Sequence, residues 1–216
     1  ILVRGAVNQE GPIEFLPGDR LSDALYFAGG MSADAFVGTL ELARYPGEAQ
    51  PRQRFFISGG GIVAAAVQAE TVTDPGAVAF FDTDGTLLNV VGVGALPDML
   101  TFTPDGNYLL VANEGEPDDG VDPEGSVSVI DLSAGVGGAT VRHANFNDFD
   151  ARVDALRNSG VRLFPDVATP PLGDGEVRVS QDLEPEYIAS DRKDNTALVT
   201  LQEANSVAVL DIQQAK

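Results

Sequence analysis

The segment Val111 to Ser133 reads VANEGEPDDGVDPEGSVSVIDLS and puts six carboxylates between Glu114 and Glu124, with an apolar run on each side. Carboxylates in such numbers either converge as hard oxygen ligands for a divalent cation or form the solvated rim of a turn. Three glutamates end apolar runs: Glu70 ends IVAAAVQAE, Glu114 ends NYLLVANE and Glu203 ends TALVTLQE. Asp98 and Glu186 each follow a proline just ahead of another apolar run. If these runs are strands of successive repeats, the five acids occupy matching places and form a ring. The chain has no cysteine and a single histidine, His143, so such a ring suits Ca²⁺ rather than zinc or copper. Asn113 and Gln202 can add amide oxygens. The loop DDGVDPEG lacks the alternating D-x-D-x-D-G spacing of an EF-hand and by itself reads as an exposed turn.

No other pattern calls for catalysis. There is no G-x-S-x-G elbow and no G-x-x-x-x-G-K phosphate cradle, and His143 has no recognisable nucleophile motif. The expectation is therefore a protein without catalytic residues. The alternative is a calcium-dependent phosphate-ester hydrolase, with Glu114, Glu186 and Glu203 as ligands and Arg192 and Lys193 as the nearest bases. A formal net charge of -20 argues against nucleic acid and anionic membrane surfaces as partners. No apolar run approaches the roughly 20 residues of a membrane-spanning helix. The chain opens at Ile1 within a strand-like stretch and closes at Lys216 just after another, so both ends read as cut or processed.

These acids would be positioned by a repeated β unit. GAVAFFD, GSVSVID and NSVAVLD are apolar strands ending at Asp82, Asp131 and Asp211, where an aspartate can cap a turn. Upstream of them lie the three runs ending in Glu. Further upstream, LPDMLTFTPDG matches EPEYIASDRKD. LLNVVGVG and TVRHA supply fourth strands. Four short strands every 40 to 50 residues predict propeller blades. About two and a half are expected, the first lacking its first strand and the third its last. The repeat is interrupted between about 145 and 180. There NDFDARVDALRNSG places Phe149, Val153 and Leu156 at helical spacing and ends at Gly160, predicting a helical insertion.

The first 57 residues differ. ILVRGAV reads as a strand, Gly11-Pro12 as a turn, IEFL as a strand, LSDALYFA as a helix, TLELARY as a strand and RQRFFIS as a closing strand. The expected division is 1–57 as a small α+β unit and 58–216 as the partial propeller, in a mainly β chain.

Two resemblances go with this division. V-x-G-x-V-N from Val3 to Asn8, Gly11, Pro17-Gly18, L-x-D-A-L from Leu21 to Leu25 and A-G-G from Ala28 to Gly30 resemble the soluble-ligand-binding β-grasp (SLBB) family of polysaccharide export proteins. That implies a β-grasp fold and a cell-envelope setting. ALPDMLTFTPDGNYLLVANEGEP, DPEGSVSVIDLS, ALRNSGVRLF, QDLEPEYIA and VTLQEANSVAVLDI resemble YVTN-type propeller repeats and, more narrowly, the choice-of-anchor I family of secreted or surface-anchored bacterial proteins. Together they imply an extracellular, cell-surface or periplasmic binding or assembly protein. Its partners would be proteins or glycans, with self-assembly through open blade edges.

Overall fold

In the computed structural model, residues 61–164, 178–191 and 195–216 are described throughout, with the strand backbones of 2–5, 11–12, 40–44 and 53–57 and the single residues 9, 27 and 29. The chain is mainly β. Strands β1 (Leu2–Gly5), β2 (Gly11–Pro12), β3 (Leu40–Arg44), β4 (Gln53–Ile57), β5 (Ile62–Val67), β6 (Pro75–Asp82) and β7 (Leu87–Ala95) form one sheet in the order β2-β1-β3-β4-β5-β6-β7. Strands β8 (Pro97–Phe102), β9 (Tyr108–Asn113), β10 (Ser126–Asp131) and β11 (Thr140–Asn145) make a four-stranded antiparallel meander. Strands β12 (Tyr187–Ser190), β13 (Thr196–Leu201) and β14 (Ser206–Asp211) make a three-stranded one. β8 packs beside both β4 and β12, so the first strands of the three units are neighbours, as in adjacent blades.

Two expectations change. Gly11-Pro12 is not a bare turn, because it pairs antiparallel with Leu2 and Val3. The first blade does not lack its first strand: β4 pairs with β5, Ile57 lying opposite Val63 much as Phe102 lies opposite Leu109 in the second blade. β4 also pairs with β3, so RQRFFIS joins the N-terminal strands to the blade. The predicted strand at IEFL, the predicted helix at LSDALYFA and most of the SLBB-like motif lie outside the described residues.

Local chemistry explains the blade turns. Asp82 Oδ1 accepts from the N–H groups of Asp84 and Thr86, Asp131 Oδ1 from Ser133 N–H, and Asp211 Oδ1 from Gln214 N–H. Bonds from the Thr86 backbone and Ser133 hydroxyl hold the Asp82 and Asp131 carboxyls below their ordinary range. The strand-end aspartates are thus turn caps. The TPDGNY turn closes in the same way: Thr103 Oγ1 donates to Asp105 Oδ1 at 2.6 Å, Asn107 Nδ2 donates to Asp105 Oδ2 at 2.7 Å, and Gly106 takes a φ of 73°.

One apolar core runs through all three blades, with Phe80, Leu100, Leu109, Leu110, Val129, Ile130 and Val199 completely buried. A second, smaller core gathers Phe146, Leu163, Val179, Leu183, Leu201 and Ala204. It is built by the insertion. Asn147–Arg152 is a 3-10 turn and only Val153–Ser159 (α1) is α-helical, ending at Gly160 with φ 101°. The predicted helix is therefore tighter in its first half. A short helix, Val179–Asp182 (α2), returns the chain to β12.

Candidate acidic site

The long loop after β9 is a built structure. Asp118 and Val121 exchange backbone hydrogen bonds at 3.0 and 2.9 Å across Asp119 (φ 46°) and Gly120 (φ 79°). Two successive positive-φ residues make this a tight hairpin turn. The loop is docked on the insertion. Gln181 Nε2 donates to Asp122 O at 2.6 Å, Asn147 Nδ2 donates to Glu124 Oε1 at 2.7 Å, and Gly125 N–H donates to Ser180 O at 3.0 Å. At Gly125 a Cβ would sit 2.0 Å from Leu183 O, so only glycine permits this approach.

Docking the loop brings acids from two blades together. Burial, then the charges of Asp98, Glu116, Glu184 and Glu203, pushes the Glu114 carboxyl up to about 7. Burial, then Glu203, Glu116, Asp122 and Asp182, does the same to Glu184, also to about 7. Glu186 is raised to about 7 by burial, by a hydrogen bond with the Glu203 carboxyl, and by the charges of Glu203, Glu114 and Asp98. Two carboxyls can hydrogen-bond to each other only by sharing a proton. Gln202 Nε2 donates to Glu186 Oε2 as well.

Four of the five acids singled out from the sequence, Asp98, Glu114, Glu186 and Glu203, therefore act on one another. Glu70 does not join them. It lies exposed in the turn after β5 and is not among the charges that weigh on Glu114, Glu184 or Glu186.

Strand register gives the reason. Asp82, Asp131 and Asp211 lie opposite Ile62, Tyr108 and Thr196. Six residues beyond these stand Gln68, Glu114 and Gln202; Glu203 lies one residue further along its strand and Glu70 two. The three glutamates are not equivalent positions. Asp98 and Glu186 are: each precedes a residue, Met99 or Tyr187, paired four residues beyond Tyr108 or Thr196.

Glu116 and Glu184 were missed. Their signal was proximity in sequence to acids already chosen, in E-G-E and E-P-E. Among the described residues, no three His, Asp or Glu side chains stand close enough to hold a metal ion. Arg192 and Lys193, the nearest bases for the hydrolase alternative, lie outside the described residues.

His143 faces a different environment. Its Nδ1 lies 3.0 Å from Ser128 Oγ, which accepts from Asn113 Nδ2 at 2.8 Å. Asn113 and Ser128 are completely buried, so this is a polar tie across the second blade rather than an open nucleophile.

Antiparallel blades packed side by side, with an acidic cluster at the loops joining the second and third, define a propeller-type repeat protein. The choice-of-anchor I domain family matches residues 55–216, and the chain belongs to that family. No curated protein matches the sequence. Among solved structures, hydrazine synthase of Kuenenia stuttgartiensis is similar at 16% identity and a TM-score of 0.46, over 82% of this chain. The chain spans 49% of the length of that structure's chain. No helix among the described residues is long and apolar enough to cross a membrane.

Proposed function

We propose that this chain is a non-enzymatic binding and assembly module working outside the cytoplasm, at the cell surface, in the periplasm or as a secreted protein. In this reading its first 57 residues are a β-grasp unit of the SLBB type, and its blades contact protein or glycan partners. The acidic cluster between the second and third blades takes a cation, with Ca²⁺ the first candidate because every donor is a hard oxygen. Asp98, Glu114, Glu186 and Glu203 would have to draw closer to supply the oxygens, since no three of them stand close enough in this arrangement, with Glu116 and Glu184 adding charge.

The observation that supports the cation is the elevation of Glu114, Glu184 and Glu186 to about 7, by burial and then by the carboxylates around each. So many partly buried acids need neutralising, and protons and cations are the two means available. They compete, so cation binding should strengthen as the protons leave.

Isothermal titration with CaCl₂ at pH 8 and pH 6 tests it. The expected result is binding at pH 8 that weakens at pH 6, is lost in Glu114→Gln and persists in Glu70→Gln. Absence of heat at both pH values, with no rise in melting temperature on adding Ca²⁺, would overturn the cation reading.

A further inference from the structure

Two separate segments carry most of the acidic cluster, and both are tied to one short helix. Glu114 and Glu116 lie on the loop that returns to β10 through Gly125, while Glu184 and Glu186 lie on the segment between α2 and β12. Ser180 O accepts from Gly125 N–H at 3.0 Å and Gln181 Nε2 donates to Asp122 O at 2.6 Å, so the loop hangs from the middle of α2. The other segment leaves α2 at Leu183, whose N–H donates to Val179 O at 3.1 Å.

A helix of one turn needs support from outside itself. It comes from Asp150, in the 3-10 turn Asn147–Arg152. Asp150 Oδ1 accepts from Ser180 N–H at 2.8 Å, and Asp150 Oδ2 accepts from Ser180 Oγ at 3.1 Å. N–H groups in a first helical turn have no partner within the helix, and a carboxylate is a strong acceptor for them. Ser180 is completely buried, so one side chain of the insertion satisfies both of its polar hydrogens where water cannot. Val179 and Leu183, at the two ends of α2, sit in the second apolar core, which keeps the helix in place when the polar bonds change. Asp150 is not among the charges that weigh on Glu114, Glu184 or Glu186, so its influence on them runs through Ser180.

We propose that Asp150 is a positioning residue for the acidic cluster: through Ser180 it fixes α2, and α2 fixes the spacing of the two acid-bearing segments. Its effect on cation affinity rests on the calcium reading above; the positioning itself does not. Segments held on one anchor need only a small movement to bring their oxygens around a cation, whereas untethered segments must first be gathered, at a cost in conformational entropy.

Hydrogen exchange at the Gly125 amide, read without calcium, and isothermal titration with CaCl₂ at pH 8 test the two parts. Asp150→Ala should speed Gly125 exchange by about tenfold or more and weaken calcium binding by about tenfold or more. Asp150→Asn loses the charge and keeps an acceptor for Ser180 N–H, so it should stay close to the wild type in both. Ser180→Ala loses only the bond to Oδ2 and should fall between them, which keeps the comparison open if Asp150→Ala does not fold. Asp105→Ala, in the turn before β9 and so at the far end of that strand from Glu114, should change neither. Unchanged Gly125 exchange in Asp150→Ala and Ser180→Ala would overturn the proposal, as would calcium affinity that stays the same or rises. Equal losses in Asp150→Ala and Asp150→Asn would overturn it too, because the effect would then be one of charge. A wild-type protein that binds no calcium, with Gly125 still freed in Asp150→Ala, would remove the cation reading alone and support the positioning.

Discussion

The second and third blades are built on one template and differ in what covers them. Leu110, Val127 and Val129 in the second blade are 0%, 2% and 0% exposed; their register counterparts Leu198, Val207 and Val209 in the third are 51%, 57% and 68% exposed. The residue types are nearly the same. Among the described residues, the second blade has a sheet on each side, whereas the third has one on a single side. Apolar side chains at matching strand positions are thus core or surface according to their neighbours. Strand periodicity reports which residues share a face and is silent on whether the face is covered.

The comparison can be broken first at Gly125, where the second blade meets the segment leading into the third. Gly125→Ala forces a methyl group into Leu183 O and should cost more than about 4 kcal/mol or prevent folding. Urea denaturation, or loss of soluble protein, reads this directly. Leu110→Ala against Leu198→Ala is the sharper contrast. The first should lose about 2–5 kcal/mol, the second less than about 1 kcal/mol, in the same urea assay. Equal losses would mean that the exposed face is covered in solution.

Acidity provides a third test. Glu114, Glu184 and Glu186 are pushed up to about 7 in the folded protein, from an ordinary carboxyl value of 4.5. The folded protein therefore binds more protons than the unfolded chain between these values. The stabilisation is complete below about 4.5 and is lost as pH rises through about 7. Melting temperature should fall between pH 5 and pH 8 in the absence of divalent cations. Glu114→Gln should flatten that slope and raise stability at pH 8, whereas Glu70→Gln should leave it unchanged. The smallest effect belongs to the turns. Asp105→Ala removes bonds to Thr103 and Asn107 and should lower stability by about 1 kcal/mol.

Much of the blade chemistry was legible before any fold was known. The P-D-G turn, the strand-end aspartates and the fourth strands follow from local rules, since an Asx turn or an alternating strand is specified within a few residues. Of the acidic positions, the register equivalence of Asp98 and Glu186 was legible because each follows a proline at the start of a first strand. Matching Glu70 to Glu114 and Glu203 by run-end ignores register, and an offset of one or two residues changes both face and position. Glu116 and Glu184 could not be selected from the sequence, because loop acids gain meaning only when the loop docks.

The sequence by itself determined the repeat, the turns, the helical interruption with its stop at Gly160, and a net charge of -20. Each of these depends on interactions between residues close in the chain or on composition alone. The tertiary structure decided that β4 completes the first blade, that the insertion holds the acidic loop against the third blade, and which carboxyls weigh on one another. These outcomes depend on contacts between distant segments, where burial and the summed field of several charges arise only after the sheets have packed.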